Sequence, residues 1–415
     1  MSDIRSIPDE ELEAFARIVG NAYPSSELHT LESIQRHAQR MREGREKDPR
    51  THLYGLYREG RLLGGMRLFD FTMNCFGAQV PVGGVGLVAV DIQHKRQHVA
   101  RDMLAWYMRR YRSQGAPLAA LYPFRPDFYH DMGFGTGAVM YRYTVSPDSF
   151  PAGGDRSAVR LLGPADRGAL AACYARIFAR THGMFERSEA EHSWLLETPE
   201  NRVAGFWEGG ELRGYLQFQF RRGHAFHIND IEVRELLYES GDALRGLLAF
   251  LASQADQIRT VILATQDAHF HRLLRDPRSG SGNIIPHVYH ESHTAGVGLM
   301  FRVIDLPLLI AALGGHTFGR RSLTLSIEVE DSFLPENAGT TTVRFAEGRA
   351  QLAPDAPPDA LIRIGVAELS SLIVGAAPLS RLHAYRLASI SDEGLLEAVD
   401  ELFAAREPPV NVTRF

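Results

Sequence analysis

Residues 84–134 read GVGLVAVDIQHKRQHVARDMLAWYMRRYRSQGAPLAALYPFRPDFYHDMGF, and this stretch decides the fold. The apolar, valine-rich run at residues 85–90 predicts a buried strand, because so short a run suits a strand better than a helix. After a basic turn, Ala100, Met103, Leu104 and Tyr107 recur at the spacing of one helix face, which predicts an amphipathic helix packed on the sheet. We therefore expect any chemistry where this strand meets this helix.

The basic turn, residues 94–98, is a candidate anion site. The first backbone N–H groups of a helix have no partner within the helix and carry about half a positive charge between them. Lys95, Arg96 and Arg101 add full charges at the same point. Phosphate or pyrophosphate is the anion that suits this combination best.

The elements that follow complete a recognisable pattern. A second strand, residues 118–122, leads into FYHDMGF at residues 128–134. Strand, basic turn, helix, strand and F-Y-x-x-M-G-F in this order resemble the acyl-CoA site of the GNAT acetyltransferase superfamily. The turn of that superfamily reads roughly Q/R-x-x-G-x-G/A, and Lys95, His98 and Ala100 stand at its aligned positions. Lys95 and His98 depart from the pattern. A ligand approaches the backbone most closely at glycine, so an outward-pointing His98 side chain is needed to leave its N–H free.

Composition and charge exclude several classes of protein. The chain has 415 residues, 45% hydrophobic and 23% charged, as expected for two to four globular domains. Its net charge of −5 disfavours general binding to nucleic acid. The acidic start predicts no signal peptide, no apolar run reaches the roughly 18 residues of a membrane span, and the distant Cys75 and Cys173 predict no disulfide. We therefore expect a cytoplasmic protein.

The chain contains a weak internal repeat. Residues 57–64, YREGRLLG, match residues 207–214, WEGGELRG, and strand, helix and strand segments follow in both copies. The repeat predicts one domain at residues 1–146 and a second at 157–297, joined by a Pro/Gly-rich connection. In the second copy Tyr238, Glu239 and Ser240 replace the basic turn, so a pyrophosphate there would meet a carboxylate. We expect this degenerate copy to be structural or to shape the substrate cavity.

Residues 298–415 predict a third domain. An apolar helix at 306–313, strands at 323–329 and 341–345, and helices at 367–375 and 395–403 resemble the sterol-carrier-like fold. The predicted fold class is α+β, that is, mixed α/β, with two tandem GNAT-like domains followed by this sterol-carrier-like domain. The order is similar to the Eis (enhanced intracellular survival) acetyltransferase family over nearly the whole chain.

The resemblance to the Eis family implies an N-acetyltransferase that uses acetyl-CoA, needs no metal and forms a homohexamer. It implies primary amines as acceptors, among them aminoglycosides, protein lysines and polyamines, and a broad acceptor cavity between domains. In such a site the strand backbone pairs with the pantetheine arm, and the turn holds the pyrophosphate. The expected acetyl-CoA contacts are Val88, Ala89, Val90, Lys95, Arg96, Gln97, His98, Val99, Ala100 and Arg101, with Phe124 and Arg125 flanking the same crevice.

Two groups are candidates for proton transfer. A phenol with a pKa of about 10 is protonated at neutral pH, so Tyr129 is able to protonate a leaving thiolate, and a purely packing tyrosine is the alternative. The resemblance assigns Tyr129 as the acid. It also assigns the terminal α-carboxylate, that of Phe415, as the base, and the alternative is a frayed chain end. The apolar residues Val410, Val412 and Phe415 favour a docked tail.

Other residues leave alternatives open. Arg414 would repel an acceptor with many ammonium groups, which weakens the case for aminoglycosides. Glu27 is a candidate for attracting such an acceptor, although a solvated surface carboxylate is the commoner case. His287, His290 and His293 share a face only on a helix and lack a completing ligand, so we expect no metal there. A non-catalytic lipid carrier or scaffold is the alternative function.

Overall fold

The first part of the chain contains two helices and an antiparallel meander, followed by the predicted strand-helix-strand unit. The computed structural model describes residues 2–225 and 228–415. Three side chains of the predicted helix face, Met103, Leu104 and Tyr107, are completely buried. The helices are α1 (Leu12–Ala22), α2 (Leu31–Lys47), α3 (Val99–Ser113) and α4 (Pro126–His130). The strands are β1 (Ser2–Ser6), β2 (Thr51–Arg58), β3 (Arg61–Cys75), β4 (Ala78–Val90), β5 (Leu118–Leu121), β6 (Gly135–Thr136) and β7 (Met140–Val145).

The second part repeats this plan, as the sequence predicts. In it a parallel strand pair again brackets a helix, β11 with β12, as β4 pairs with β5. The helices are α5 (Arg167–Arg180), α6 (Glu189–Glu197) and α7 (Gly241–Ala252). The strands are β8 (Val159–Leu161), β9 (Arg202–Glu208), β10 (Glu211–Ala225), β11 (Ile228–Tyr238), β12 (Ile258–Thr265), β13 (Ile284–Ile285), β14 (Tyr289–His290), β15 (Thr294–Gly296) and β16 (Met300–Val303).

The third part contains a five-stranded sheet in the order β19-β18-β17-β20-β21. Its helices are α8 (Leu306–Ala312), α9 (Val366–Ile373), α10 (Leu379–Ala384) and α11 (Leu396–Phe403). Its strands are β17 (Leu323–Glu330), β18 (Gly339–Ala346), β19 (Arg349–Leu352), β20 (Ala360–Gly365) and β21 (Ala388–Ile390). Across the described ranges, no helix combines the length and apolar character that crossing a membrane requires.

Two strands pair in a sheet that belongs mainly to another part of the chain. The first sheet has the order β1-β2-β3-β4-β5-β16-β6, and the second has the order β15-β7-β12-β11-β10-β9-β8. Thus β7, which lies inside the predicted first domain 1–146, pairs in the second sheet. Similarly β16, which lies inside the predicted third domain 298–415, pairs in the first. The predicted boundaries stay a prediction, and the sheets cross them.

A buried ion pair fixes the third part against the first sheet. Arg302 on β16 donates to both carboxylate oxygens of Asp331, at 3.0 Å and 2.7 Å, and neither side chain is exposed. Asp331 also accepts the backbone N–H groups of Phe333 and Leu334. A Cβ on Gly133, the motif glycine, would lie 1.9 Å from the Arg302 guanidinium. The glycine therefore makes room for the ion pair that places Phe333 beside α3.

Candidate active site

The basic turn and the start of α3 border a cavity of about 700 Å³. Arg96 and His98 have left-handed backbones, with φ of 63° and 61°, a region that glycine adopts without strain. The His98 side chain is exposed, and within the described chain no side chain caps α3. The turn therefore keeps an open helix start for an anion. The predicted contacts that line this cavity are Val90, Lys95, Arg96, His98, Val99, Ala100, Arg101 and Arg125.

Strands β4 and β5 splay apart next to this turn. Their parallel pairing covers only residues 82–84 opposite 118–120, so residues 85–90 of β4 border a crevice on that side. Gly86 and Val88 line a cavity of about 310 Å³ there, together with the predicted flanking residue Phe124. The hydroxyl of Tyr23 donates to the carbonyl of Val88 at 2.6 Å. Val88 therefore lines the smaller cavity, and Val90, two residues further along the same strand, lines the cavity at the basic turn.

Tyr129 lies on α4 and lines the smaller cavity. Its side chain is 3% exposed, and its ring packs edge-on against Phe124, Phe128 and Phe134. Among the described residues its hydroxyl has no hydrogen-bond partner. Burial raises the pKa of the Tyr129 phenol well above its usual value, with a smaller contribution from Tyr23. The phenol is therefore protonated at neutral pH, which an acid requires.

The C-terminal tail is docked between the first and second sheets. The backbone N–H of Val410 donates to the carbonyl of His182 at 2.9 Å. The backbone N–H of Asn411 donates to the side-chain oxygen of Gln266 at 2.8 Å. The hydroxyl of Tyr122 donates to the carbonyl of Thr413 at 2.9 Å. The ring of Phe415 packs against four aromatic rings at centroid distances of 4.9–6.0 Å, those of Phe69, Phe71, Tyr122 and Phe185.

The terminal carboxyl group lies against Gly86. A Cβ built on Gly86 would lie 3.0 Å from the carboxyl carbon of Phe415 and 3.3 Å from its oxygen. Gly86 and Tyr129 line the same cavity, so the terminal carboxyl group lies against one residue of the cavity that Tyr129 lines. Phe415 itself lines a further cavity of about 410 Å³, and Tyr122 lines both. An acid and a base are what transfer of an acyl group to an amine requires.

Comparisons with known proteins identify the domains along the chain. Two GNAT acetyltransferase domain models match residues 3–137 and 179–303, and a sterol carrier protein domain model matches residues 309–411. The N-acetyltransferase Eis of Mycobacterium tuberculosis is 28% identical over 83% of this chain and 84% of its own length. The chain is a homologue of the Eis N-acetyltransferases and contains two GNAT domains. It is an acetyltransferase, and acetyltransferases of the GNAT type use acetyl-CoA.

Other relatives show how widely this architecture occurs. An uncharacterised N-acetyltransferase of Streptomyces coelicolor is 27% identical to this Eis homologue over 80% of each chain. The crystal structure of a GCN5-related N-acetyltransferase from Anabaena variabilis superposes with a TM-score of 0.82, and that of Eis1 from Mycobacterium abscessus with 0.76. Both cover 100% of each chain, at 18% and 21% identity, so they show the shared fold.

Some predicted residues of this Eis homologue lie apart from the cavities. Gln97 is exposed, and its backbone carbonyl accepts a hydrogen bond from Arg58 at 3.1 Å. The side chain of Ala89 is buried in the core beside α1, so only its backbone is a candidate for contact. Glu27 is exposed at the surface. His293 packs against Tyr141, and no cluster of three or more metal-binding side chains occurs in the described ranges.

Sequence reasoning missed several residues of the site. Ser332 and Phe333 of the third part line the cavity at the basic turn, where Phe333 lies under the guanidinium of Arg101 at 5.4 Å. Tyr23 and Tyr122 line the smaller cavity. The position of Tyr122 at the end of the second predicted strand is a usable signal. Ser332 and Phe333 have no such signal in the sequence, because the Arg302–Asp331 ion pair brings them to the cavity at the basic turn.

Proposed function

We propose that this Eis homologue transfers the acetyl group of acetyl-CoA to a primary amine, with Tyr129 as general acid and the Phe415 carboxylate as general base. One observation carries the proposal: Tyr129 and Gly86 line one cavity beside the splayed strand, and the terminal carboxyl group lies against Gly86. The basic turn follows on the same strand. Homology to the Eis N-acetyltransferases supports the same reaction.

In this proposal acetyl-CoA lies along β4. The backbone of residues 88–90 accompanies the pantetheine arm, with the Val88 carbonyl already occupied by Tyr23. The pyrophosphate binds at the start of α3, where open N–H groups and full positive charges coincide. The residues proposed to contact the cofactor are Val88, Ala89, Val90, Lys95, Arg96, Gln97, His98, Val99, Ala100 and Arg101, flanked by Phe124 and Arg125.

The proposed chemistry needs two proton transfers. The Phe415 carboxylate takes one proton from the acceptor ammonium, and the free amine attacks the thioester carbonyl to form the C–N bond. When the tetrahedral centre collapses, the C–S bond breaks and Tyr129 donates its proton to the departing sulfur. The second proton of the amine then replaces the one that Tyr129 has lost. The products are the acetylated amine, CoA and one proton.

The role of Tyr129 is tested by acetyl-CoA-dependent thiol release in Tyr129→Phe. We expect kcat to fall about 10²- to 10⁴-fold, the usual worth of general acid catalysis, while calorimetry shows acetyl-CoA binding retained. Tyr289→Phe is the matched control, because Tyr289 is 64% exposed on β14. Full turnover by Tyr129→Phe would exclude the phenol as the acid.

The role of the terminal carboxylate is tested by converting it to an amide through intein-mediated ligation. The amide keeps the Phe415 ring and removes the charge, so we expect turnover to be lost with cofactor binding retained. Deleting Phe415 leaves the new carboxylate about 3.8 Å away and is expected to have the same effect. Phe415→Leu is the control, because it keeps the carboxylate. Full turnover by the protein with the C-terminal amide would exclude the Phe415 carboxylate as the base.

The family resemblance also suggests acceptors and an assembly. The same assay with an aminoglycoside, a polyamine and a lysine peptide compares the three acceptor classes directly. We further propose a cytoplasmic homohexamer, for which light scattering should give six times the mass of the chain. A stable monomer with full activity would refute the hexamer without affecting the proposed reaction.

A further inference from the structure

A third cavity, of about 1080 Å³, lies between β3, α6 and the C-terminal tail. It is lined by Arg67 from the first sheet, Arg234 from β11 and Arg414 from the tail. We infer that the acceptor is a small amine that also carries a carboxylate or another anionic group, and that these three arginines bind the anion. This inference rests on the proposed function, because it names the substrate class of the same site.

Arg67 is the main observation. Its side chain is largely buried and makes no hydrogen bond or ion pair with any described residue. Burial lowers the pKa of its guanidinium, yet an arginine stays charged at neutral pH. Removing a cation from water without a partner is costly, so an unpaired guanidinium facing a cavity indicates a site for an anion.

Arg67 is also close to the proposed base. It pairs with Gly86 across the strands, and directly paired residues share a face of the sheet. The carboxyl group of Phe415 lies against that face of Gly86. Phe69, two residues further along β3, packs against the Phe415 ring from the same face. An amine that delivers its proton to Phe415 therefore approaches the face of the sheet that carries Arg67.

Arg234 and Arg414 extend the positive charge into the cavity. The Nε of Arg234 is buried and has no hydrogen-bond partner among the described residues, and its Nη2 lies 3.6 Å from Glu232. Arg414 is exposed and has no ion pair within the described residues. Both arginines line the cavity on the side of the second sheet. A carboxylate able to accept several N–H groups would satisfy donors that the protein leaves open.

The carboxylates in this cavity are mostly neutralised. Arg187 pairs with Glu235 at 2.6 Å, and Arg50 holds Glu191 at 2.6 Å and Asp48 at 2.9 Å. At the exposed rim Glu197 lies 3.8 Å from Arg167, and among the described residues Glu189 has no ion-pair partner. An acceptor with several ammonium groups would therefore meet arginines whose N–H groups are not all satisfied, whereas one anionic group finds partners.

Matched pairs of amines test the inference. Each pair consists of an amino acid and its decarboxylated amine: arginine with agmatine, tyrosine with tyramine, and glutamate with γ-aminobutyrate. γ-Aminobutyrate is further paired with butylamine, which lacks the remaining carboxylate. With the intact protein we expect kcat/KM to be roughly 10- to 100-fold higher for the member with the additional carboxylate, as for a charge-assisted hydrogen bond.

Substitutions assign the effect to the arginine. Arg67→Gln should lower kcat/KM for the carboxylate-bearing amines by a similar factor, mainly through KM, and leave tyramine and butylamine within about twofold. Arg67→Lys should restore part of the loss. Arg344→Gln is the control, because Arg344 is exposed on β18 away from the cavity. Melting curves establish that each variant is folded.

Three results would overturn the inference, and a fourth would refute the proposed function. Equal or better turnover of the decarboxylated amines, or an aminoglycoside as the best acceptor, refutes the substrate class while leaving acetyl transfer intact. Equal losses for both members of each pair in Arg67→Gln would show that Arg67 positions the Phe415 carboxylate instead of binding substrate. No thiol release with any amine refutes the proposed function itself.

Discussion

Replacing Gly86 by alanine would displace the proposed base while leaving its chemistry intact. The added Cβ would lie 3.0 Å from the carboxyl carbon of Phe415, and ordinary contact begins at about 3.4 Å. The next neighbour, the Phe69 ring at 3.6 Å, is already in ordinary contact. Gly86 does not have a positive φ, so alanine fits its backbone. The carboxyl group must therefore retreat by a few tenths of an ångström.

A displacement of this size has a measurable cost in rate. A misplacement of about 1 Å can cost about 10²-fold, so a few tenths should lower kcat roughly threefold to tenfold. The Phe415 ring is held by four aromatic rings, which prevents the tail from sliding to compensate. The melting temperature should fall slightly, because the added methyl group presses on an anchored tail, although it strains no backbone.

The assay is thiol release with acetyl-CoA at saturating amine, together with a melting curve. Gly168→Ala is the matched control: it lies in α5, and among the described residues nothing comes within 4 Å of the added Cβ, so kcat should not change. An unchanged kcat in Gly86→Ala would refute the assignment of the terminal carboxylate as base. A change confined to the KM for acetyl-CoA would refute it equally.

Three further predictions concern the ion pair, the turn and the thiols. Arg302→Met should lower the free energy of unfolding by about 3 kcal/mol in a denaturant titration, because it leaves Asp331 buried without its cation; an unchanged midpoint would contradict this. His98→Gly should raise the free energy of unfolding by about 1 kcal/mol, because glycine adopts the left-handed backbone conformation without strain. The KM for acetyl-CoA should not rise. Burial raises the pKa of the Cys75 and Cys173 thiols to about 12, so Ellman's reagent should label them only after unfolding.

The strand-turn-helix unit could be predicted because its signals are local. The valine run, the basic turn and the apolar face of α3 lie within about 25 residues, and period alone separates strand from helix. The repeat was visible for the same reason, since each copy is one supersecondary unit with its own turn. The role of His98 could be predicted only in part. The sequence shows that histidine replaces a glycine, but the left-handed φ of 61° is known only from the structure.

Long-range pairing could not be predicted from the sequence. Residues 300–303 look like the start of a new domain, but β16 inserts between β5 and β6. Arg302 alone does not reveal that its partner is Asp331, because the two meet only when the third part docks. Arg67 looks like an ordinary polar residue on a half-buried strand. Its significance appears only when Gly86, the terminal carboxyl group and the second sheet surround it.

The exchange of strands explains why this site needs the whole chain. Residues 1–146 alone lack β16, so β5 would present an open edge, and β6 would lose its neighbour in the first sheet. They also lack Arg302, and Gly133 would then face an empty space. The proposed base reaches Gly86 only because the tail passes along both sheets, held at His182 and Gln266 of the second part. The second copy has no basic turn of its own, yet these contacts anchor the proposed base, and Arg234 lines the proposed acceptor cavity.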